Sequence, residues 1–153
     1  MLQKSCEIGP DETLGDVYFK KLFPMGVDAM IEGLDLVKAG VIIKHDQRIE
    51  NGSYESWFKG EHITIDWNKP IDDVYNLIRA ANPAPAARTK IDGVDVQIYN
   101  CERLEGKGEP GRLVEVTESG IVMQADGGRI LIERLRPLGG EKQSAKAWIS
   151  ERV

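Results

Sequence analysis

The chain has 153 residues, of which 41% are hydrophobic and 29% are charged. This composition suits one globular domain or two small ones with a modest core, and it excludes fibres and disordered tails. The formal net charge of −5, from 20 basic and 25 acidic residues, means that any contact with a polyanion must be local. No hydrophobic run reaches the roughly 18 residues of a membrane span and no signal-peptide pattern follows Met1, so we expect a cytoplasmic location and no membrane partner.

The first 40 residues predict a strand followed by a helical hairpin. Leu2 to Ile8 has the pattern of a short strand. Thr13, with Asp16 three residues later, forms a capping box that opens a helix. Pro24 and Gly26 interrupt that helix, and a second helix then ends at Gly40.

Residues 41–60 have no dominant period and predict a linker. The alternation from Ile63 to Trp67 predicts a short strand, after which Asn68 caps a third helix. This helix must end before Pro83, because the residue that precedes a proline is pushed out of the helical region. The hydrophobic stripe of the helix consists of Ile71, Val74, Tyr75 and Ile78.

Beyond Pro85 the hydrophobic period falls to about two, which predicts several short antiparallel strands in a small barrel. Asp126-Gly127-Gly128 is the clearest hairpin turn, since glycine supplies a positive φ. A final helix begins near Gln143, with Ala147 and Trp148 as its docking residues. The predicted strands cover Val94 to Ile98, Leu113 to Val116, Ile121 to Ala125 and Arg129 to Leu135.

Few residues suggest catalysis or metal binding. His45 and His62 have no patterned nucleophile beside them, and no sequence spacing makes them zinc ligands, so we expect surface histidines and no metal. Cys6 and Cys101 are too far apart in sequence for a metal knuckle, and we expect both to be buried as small hydrophobic residues. The chain contains no glycine-rich nucleotide-binding loop.

The main basic cluster lies on and just after one predicted strand. Arg134 and Arg136 share a face of it, with Arg129 earlier on the strand and Arg112 as a further candidate, so a small positive stripe can form. Two interpretations remain open. The stripe contacts a polyanion, or it is a solvated strand edge whose charges discourage aggregation.

Several motifs, in a fixed order, link the chain to a known family. In this order and spacing the chain resembles the second half of the folate-dependent formyltransferases, the family of methionyl-tRNA formyltransferase and the hydrolase domain of formyltetrahydrofolate dehydrogenase. The motifs are Leu2-Gln3-Lys4, Asp11-Glu12-Thr13, Gly26, Gly40, Tyr54, Ile65-Asp66-Trp67, Ile78-Arg79-Ala80, Pro83-Ala84-Pro85, Pro110-Gly111 and the hairpin from Gly120 to Leu135.

The resemblance implies an α+β fold in three parts. Residues 1–40 would be the tail of a Rossmann-like catalytic domain, a strand with a helical hairpin. Residues 41–87 would hold a linker, a strand and an interdomain helix, and residues 88–153 an OB-like antiparallel barrel with a C-terminal helix. The family's catalytic Asn, His and Asp belong to the N-terminal domain, which also binds 10-formyltetrahydrofolate. We therefore expect no catalytic residue and no bound cofactor in this chain.

The resemblance also assigns roles and partners. Asp66, Trp67, Arg79, Pro83 and Pro85 carry the family motif, and we expect them to be structural. The parent reaction would move a formyl group from 10-formyltetrahydrofolate to an amine such as that of methionyl-tRNA. A sugar amine or water as acceptor, the second making the parent a hydrolase, and a stand-alone interaction module remain alternatives.

Two expectations concern binding partners. The helices of residues 13–39 would pack on a separate N-terminal domain or self-associate. Residues 90–153 hold 10 basic and 11 acidic residues. Phosphate binding depends on neutralised charge, so we expect weak tRNA affinity, about 10⁻⁵ M or weaker near physiological salt.

Overall fold

The computed structural model describes residues 2–41, 46, 48–57 and 59–152. The chain divides into two compact units, residues 1–57 and residues 58–153. The described part of the first unit contains only helical elements, whereas the second contains a six-stranded antiparallel sheet and two α-helices. The fold class is therefore α+β, as the sequence predicts.

One unbroken helical segment runs through the first unit. It consists of α1 (Leu14–Val17), a π-helical turn (Tyr18–Leu22) and α2 (Phe23–Lys38). The predicted helical hairpin is therefore wrong, since neither Pro24 nor Gly26 breaks the helix. Pro24 occupies the first turn of α2, directly after the wider π turn, and a π turn accommodates a residue that cannot donate the usual hydrogen bond.

The ends of this segment follow the sequence signals. Thr13 Oγ1 accepts a hydrogen bond from the Asp16 N–H, and the Asp16 carboxylate accepts one from the Thr13 N–H, both at 3.1 Å. Hydrogen bonds from Lys20 and then from Thr13 lower the pKa of Asp16 well below its usual range. At the other end, Gly40 takes a φ of +72° just after α2, a conformation that glycine adopts without strain.

Two further predictions for the first unit are wrong. Leu2 to Ile8 forms no strand, since no described residue of this unit forms a strand with which it could pair. Cys6, in the same segment, is exposed rather than buried. The described part of residues 41–57 contains only a short 3₁₀ turn at Ile49–Asn51.

The second unit opens with an irregular segment in place of the predicted strand. A 3₁₀ turn covers Gly60–Ile63, and a single bridge pairs Thr64 with Arg88. Ile63, Ile65 and Trp67 are nevertheless all buried. The alternation correctly predicted which side chains enter the core, but backbone pairing stops after one bridge.

Helix α3 (Ile71–Ala81) lies close to its predicted position and ends before Pro83. Its N-cap is Pro70 rather than the predicted Asn68. Asn68 instead donates from both its backbone N–H and its side chain to the Asp66 carboxylate, at 3.0 Å each. The stripe of Val74, Tyr75 and Ile78 is buried, with Ile71 partly buried beside it.

The sheet is antiparallel throughout, with strand order β1-β2-β5-β4-β3 and β6 paired to β5. The end strands β1 and β3 do not pair with each other, so the predicted barrel is not closed among the described residues. The strands are β1 (Ala87–Ile91), β2 (Val94–Leu104), β3 (Leu113–Val116), β4 (Ile121–Ala125), β5 (Gly128–Pro137) and β6 (Gln143–Ser144).

Two β-bulges bend the longest strand pair of the sheet. Along β2 and β5, Ile98 pairs with Leu135 and Asn100 with Arg134, but Cys101 pairs with Ile132. Tyr99 on β2 and Glu133 on β5 are therefore extra residues without partners in the ladder. Bulges of this kind increase the local twist and change which face a side chain enters.

The hydrophobic core lies between α3, α4 and one face of the sheet. Helix α4 (Ala145–Ser150) begins at Ser144 and buries Ala145, Trp148 and Ile149. Trp148 therefore docks the helix as predicted, whereas Ala147 is exposed. The fully buried side chains of this core include Ile78, Ile98, Ile121, Ile130, Ile132 and Leu135.

Candidate anion-binding surface

Trp67 and Asp66 fix the segment that leads into α3. The Trp67 indole Nε1 donates a buried hydrogen bond of 2.8 Å to Thr89 Oγ1 on β1. Asp66 accepts the two hydrogen bonds from Asn68, which are the main cause of its lowered pKa. Trp67 thus ties this segment to the sheet, and Asp66 holds the turn that precedes α3.

The proline exit after α3 is attached to β2 by two side-chain hydrogen bonds. Asn82 Nδ2 donates to the Tyr99 carbonyl at 2.8 Å, and Gln97 Nε2 donates to the Pro85 carbonyl at 2.9 Å. The peptide bonds before Pro83 and Pro85 are both cis. In the last turn of α3, Arg79 Nε donates to Asn76 Oδ1 at 2.9 Å.

The four arginines of the sequence-predicted stripe fall into two separate groups. Arg129 is near the start of β5 and lines a cavity together with Arg112. Arg134 and Arg136 are near its end, where both are exposed on either side of the buried Leu135. Five residues of strand span about 16 Å. Arg129 therefore cannot form one compact patch with the other two.

The group near the end of β5 belongs to a row of paired residues that crosses three strands. Gln97 pairs with Arg88 on one side and with Arg136 on the other, which places the three side chains on the same face. Gln97 is buried, and its Oε1 accepts a hydrogen bond of 2.8 Å from Arg136 Nε. Because Gln97 also donates to Pro85, the proline exit and the Arg136 guanidinium are held by one amide.

Lys142 adds a fourth cation to this group. Its ammonium lies 4.1 Å from the centre of the Tyr99 ring, a cation–π contact. Burial, and next the nearby charge of Arg134, lower the pKa of Lys142. We call Arg88, Arg134, Arg136 and Lys142 the basic face. None of the four forms an ion pair with a carboxylate in the described part of the chain.

Sequence reasoning missed half of the basic face. Arg88 is exposed between the buried Ala87 and Thr89, an alternation that would have indicated a strand face. Its alignment with Arg136, however, depends on a pairing across three strands. Lys142 follows the glycines of the turn after β5, where no periodic signal exists.

Only one of the two histidines, His62, lies among the residues that the structure describes. His62 is half-exposed, and its Nδ1 accepts a hydrogen bond of 3.2 Å from the Lys59 N–H. His45 lies outside the described residues. Within the described ranges, no three His, Cys, Asp or Glu side chains are grouped as a metal site, and none of the helices there is both long and apolar enough to cross a membrane.

Comparison with known families identifies the class of protein. Residues 58–152 match the family described as "Formyl transferase, C-terminal domain". This range covers nearly the whole of the second unit, including α3, the sheet and α4. The chain therefore belongs to the formyl transferase C-terminal domain family, and the resemblance read from its motifs is confirmed.

Individual relatives extend the match into the first unit. Methionyl-tRNA formyltransferase of Geotalea daltonii is 34% identical over 143 residues, which cover 94% of this chain and 45% of the relative. Human mitochondrial 10-formyltetrahydrofolate dehydrogenase is 32% identical over 88% of this chain and 16% of its own length. The chain thus spans about half the length of the methionyl-tRNA formyltransferases that it matches.

Solved structures support the fold. HypX from Aquifex aeolicus superposes with a TM-score of 0.76 at 18% identity, covering 92% of this chain and 25% of HypX. The HypX structure in complex with tetrahydrofolic acid matches with a TM-score of 0.65 at 21% identity, over 82% of this chain and 22% of that one. Similarity at this level of identity establishes a shared architecture.

Proposed function

We propose that this chain is the C-terminal portion of an enzyme that transfers a formyl group from 10-formyltetrahydrofolate to the amine of methionyl-tRNA. In this proposal residues 1–40 are the tail of a Rossmann-like domain that binds the folate and carries the catalytic residues. The curved sheet of the second unit is the OB-like domain, and it contacts the tRNA. The chain itself supplies no catalytic group.

The basic face is the main support for the proposal that this domain binds tRNA. Four cations lie on or beside the outward face of β1, β2 and β5, and none is neutralised by a carboxylate of the described chain. Phosphate backbones bind to such unpaired Arg and Lys side chains. Arg136 is further oriented by the buried Gln97, so its guanidinium is partly preorganised for a phosphate oxygen.

The small number of cations sets the expected affinity. Each neutralised phosphate of single-stranded or folded RNA contributes about −0.7 to −0.9 to the slope of log K against log salt. Four contacts therefore give a slope of about −3. Because residues 90–153 as a whole, with Arg134, Arg136 and Lys142 of the basic face included, hold 10 basic and 11 acidic residues, we expect a Kd of about 10⁻⁵ M or weaker near physiological salt.

The test is a titration of fluorescently labelled methionyl-tRNA with the full chain at several salt concentrations. We expect weak binding with a slope near −3. The variant Arg134→Gln/Arg136→Gln should lower this slope by about 1.5, because two phosphate contacts are lost. A matched control is Lys38→Gln/Lys146→Gln, which also removes two positive charges but leaves the basic face intact.

Two results would contradict the RNA assignment. The first is a slope that the arginine variant and the control reduce equally, since binding would then follow net charge alone. The second is the absence of any salt-dependent binding at low ionic strength.

The first unit supports the proposal of a folate-binding partner domain. Several large hydrophobic side chains of its helical segment are exposed, among them Phe19, Met30 and Ile31. Exposed hydrophobic patches of this kind are typical of interaction sites. We propose that the Rossmann-like domain covers them, with self-association through residues 13–39 as the alternative occupant.

A 10-formyltetrahydrofolate hydrolase is the second candidate. The similarity to mitochondrial 10-formyltetrahydrofolate dehydrogenase favours it, because that relative matches this chain nearly as well as the methionyl-tRNA formyltransferases do. Water as acceptor would need no RNA-binding surface. Loss of the basic face would then leave the parent enzyme's turnover unchanged, whereas in the first proposal it raises the KM for methionyl-tRNA.

A further inference from the structure

A small cavity lies at the opposite end of β5 from the basic face. Its volume is about 290 Å³, and it is covered by the loop between β2 and β3, residues 105–112, which we call the cover loop. The loop is tied to β4 by two backbone hydrogen bonds of 2.9 Å, from Gly111 N–H to the Gln124 carbonyl and from Gln124 N–H to the Arg112 carbonyl. The cavity wall is therefore part of the sheet architecture.

Arg129 is held in a fixed orientation at this cavity. Its Nε donates to Gln124 Oε1 at 3.1 Å. Gln124 is almost completely buried, and its Nε2 donates to the carbonyls of Ala125 and Gly128 at 2.9 and 2.8 Å. These two hydrogen bonds fix the amide so that its oxygen faces Arg129. The two terminal nitrogens of the Arg129 guanidinium donate no hydrogen bond to any described residue.

The two glycines of the cover loop allow close packing over this pair. A Cβ at Gly106 would collide with the Arg129 guanidinium, and a Cβ at Gly108 would lie 2.9 Å from Gln124 Oε1. Gly106 also has a φ of +156°. The loop backbone can thus lie directly against the arginine, which shields one side of the guanidinium and leaves its terminal nitrogens as the free hydrogen-bond donors.

Two more cations and one carboxylate line the cavity. Lys107 forms no ion pair among the described residues, and Arg112 pairs with Glu109 at 3.3 Å. Both members of that pair are largely exposed, so the pair is weak and easily exchanged for another anion. The cavity, at about 290 Å³, is near the lower limit of small-molecule sites and has ample room for one phosphate group.

We propose that this cavity is a phosphate-binding site. Arg129 would donate two parallel hydrogen bonds from its terminal nitrogens to one phosphate, and Lys107 and Arg112 would neutralise its charge. A planar guanidinium suits this two-point geometry better than an ammonium does. The phosphate would replace Glu109 beside Arg112. The site uses none of the residues of the basic face, so it stands whether or not the acceptor is an RNA.

The probe is inorganic phosphate, added to the ¹⁵N-labelled full chain with ionic strength kept constant by sodium chloride. We expect saturable shifts of the Gly106 and Gly108 amides and of the Arg129 Nε–H signal. Arg129→Gln should weaken binding at least about tenfold, since a charge-assisted hydrogen bond contributes that much or more. Because this variant could disturb Gln124, Lys107→Gln/Arg112→Gln, with both side chains on the surface loop, provides a second test with the same expectation.

Lys90→Gln/Lys146→Gln serves as the charge-matched control and should change the affinity by less than about twofold. A variant of the cavity carboxylate, Glu109→Gln, should tighten binding a few-fold, because the competing anion is removed. Shifts that chloride alone reproduces, or equal loss of binding in the control and the loop variant, would overturn the proposal.

Two short oligonucleotides distinguish the sources of the phosphate. One is an RNA tetranucleotide with a 5′-phosphate, and the other is the same molecule without it. Cavity shifts with the phosphorylated form alone support recognition of a terminal phosphate, and equal shifts with both support recognition of the backbone. If neither oligonucleotide nor inorganic phosphate shifts these signals, the site does not exist.

Discussion

The two cysteines differ in their chemical state, and this difference predicts their reactivity. Cys6 is exposed and Cys101 is only partly buried, so neither is fully buried as predicted. The burial of Cys101, and next the charges of Glu133 and Glu102, raise its pKa to about 12. A thiol with that pKa is protonated throughout the physiological range, and only the thiolate is a nucleophile. The sequence predicted Cys101 as a buried hydrophobic residue but gave no reason to distinguish Cys6 from it.

We expect iodoacetamide at pH 8 to modify only Cys6 in the native chain. The thiolate fraction of Cys101 should be about a thousandfold below that of an ordinary cysteine, from a pKa difference of about three units. Peptide mass mapping after short labelling times measures this directly. The variant Cys6→Ser should take up no rapid label until the protein is unfolded in urea. Rapid labelling of Cys101 in the native state would contradict the raised pKa of its thiol.

At the scale of elements, the start of β4 depends on a glycine for its close approach to β5. A Cβ at Gly120 would collide with the Ile132 carbonyl oxygen, which belongs to rigid backbone. Gly120 also closes the turn from β3, where its carbonyl accepts a 2.8 Å hydrogen bond from Thr117 N–H. The space available to this residue is therefore set by the strand pairing itself.

Gly120→Ala should destabilise the second unit by about 1–3 kcal/mol, the usual cost of overpacking. Gly140→Ala is the matched control, because its new Cβ would meet only ordinary contacts of 3.4 Å or more. Urea unfolding followed by near-UV circular dichroism compares the two midpoints. Equal midpoints would show that the strands separate without cost at this position.

Elements bounded by turn residues were predicted almost to the residue. Strands β3 and β4 match their predicted ranges, and Gly127 has the positive φ of +78° that the hairpin turn requires. The errors occur where structure depends on partners that are distant in sequence. Leu2 to Ile8 has no strand to pair with, and the helix continues through Pro24 by means of a π turn, which no local propensity indicates.

The candidate sites show the same division. Alternation correctly placed Arg134 and Arg136 on one face, because that rule is local. The grouping with Arg129 was wrong, since it ignored the length of β5 and the cover loop. Arg88, Gln97 and Gln124 acquire their roles only through cross-strand pairing, which a single sequence does not specify.

For the whole molecule, the chain has a net charge of −5 but carries two separate groups of cations on or beside its sheet. The cations of the basic face and of the cavity lie about a strand's length apart on the sheet, and neither set contains a catalytic base. Formyl transfer requires a positioned base and an oxyanion donor. The Nδ1 of His62 accepts a hydrogen bond from the Lys59 N–H.

We therefore expect the chain, tested by itself, to release no tetrahydrofolate above background from 10-formyltetrahydrofolate, with or without amine acceptors. The absorbance change that accompanies tetrahydrofolate formation measures this. Turnover that disappears in His45→Gln or His62→Gln would refute the assignment of catalysis to another domain. Turnover that neither variant affects would indicate a contaminating enzyme, which heat-denatured chain and repeat purification would reveal.

The paired bulges of β2 and β5 make the position of the basic face depend on chain length as well as on residue type. Tyr99 and Glu133 each add one residue to their strand, so the offset that one introduces is cancelled by the other. Deletion of Glu133 alone would leave Tyr99 as an uncompensated bulge, and a regular ladder would then be recovered only by setting the core residue Ile98 opposite Arg136. A slip of one residue turns each side chain to the opposite face. Deletion of both would remove both bulges and keep every pair beyond them, so these two residues form a single compensated insertion between the pair of Cys101 with Ile132 and the pair of Gln97 with Arg136.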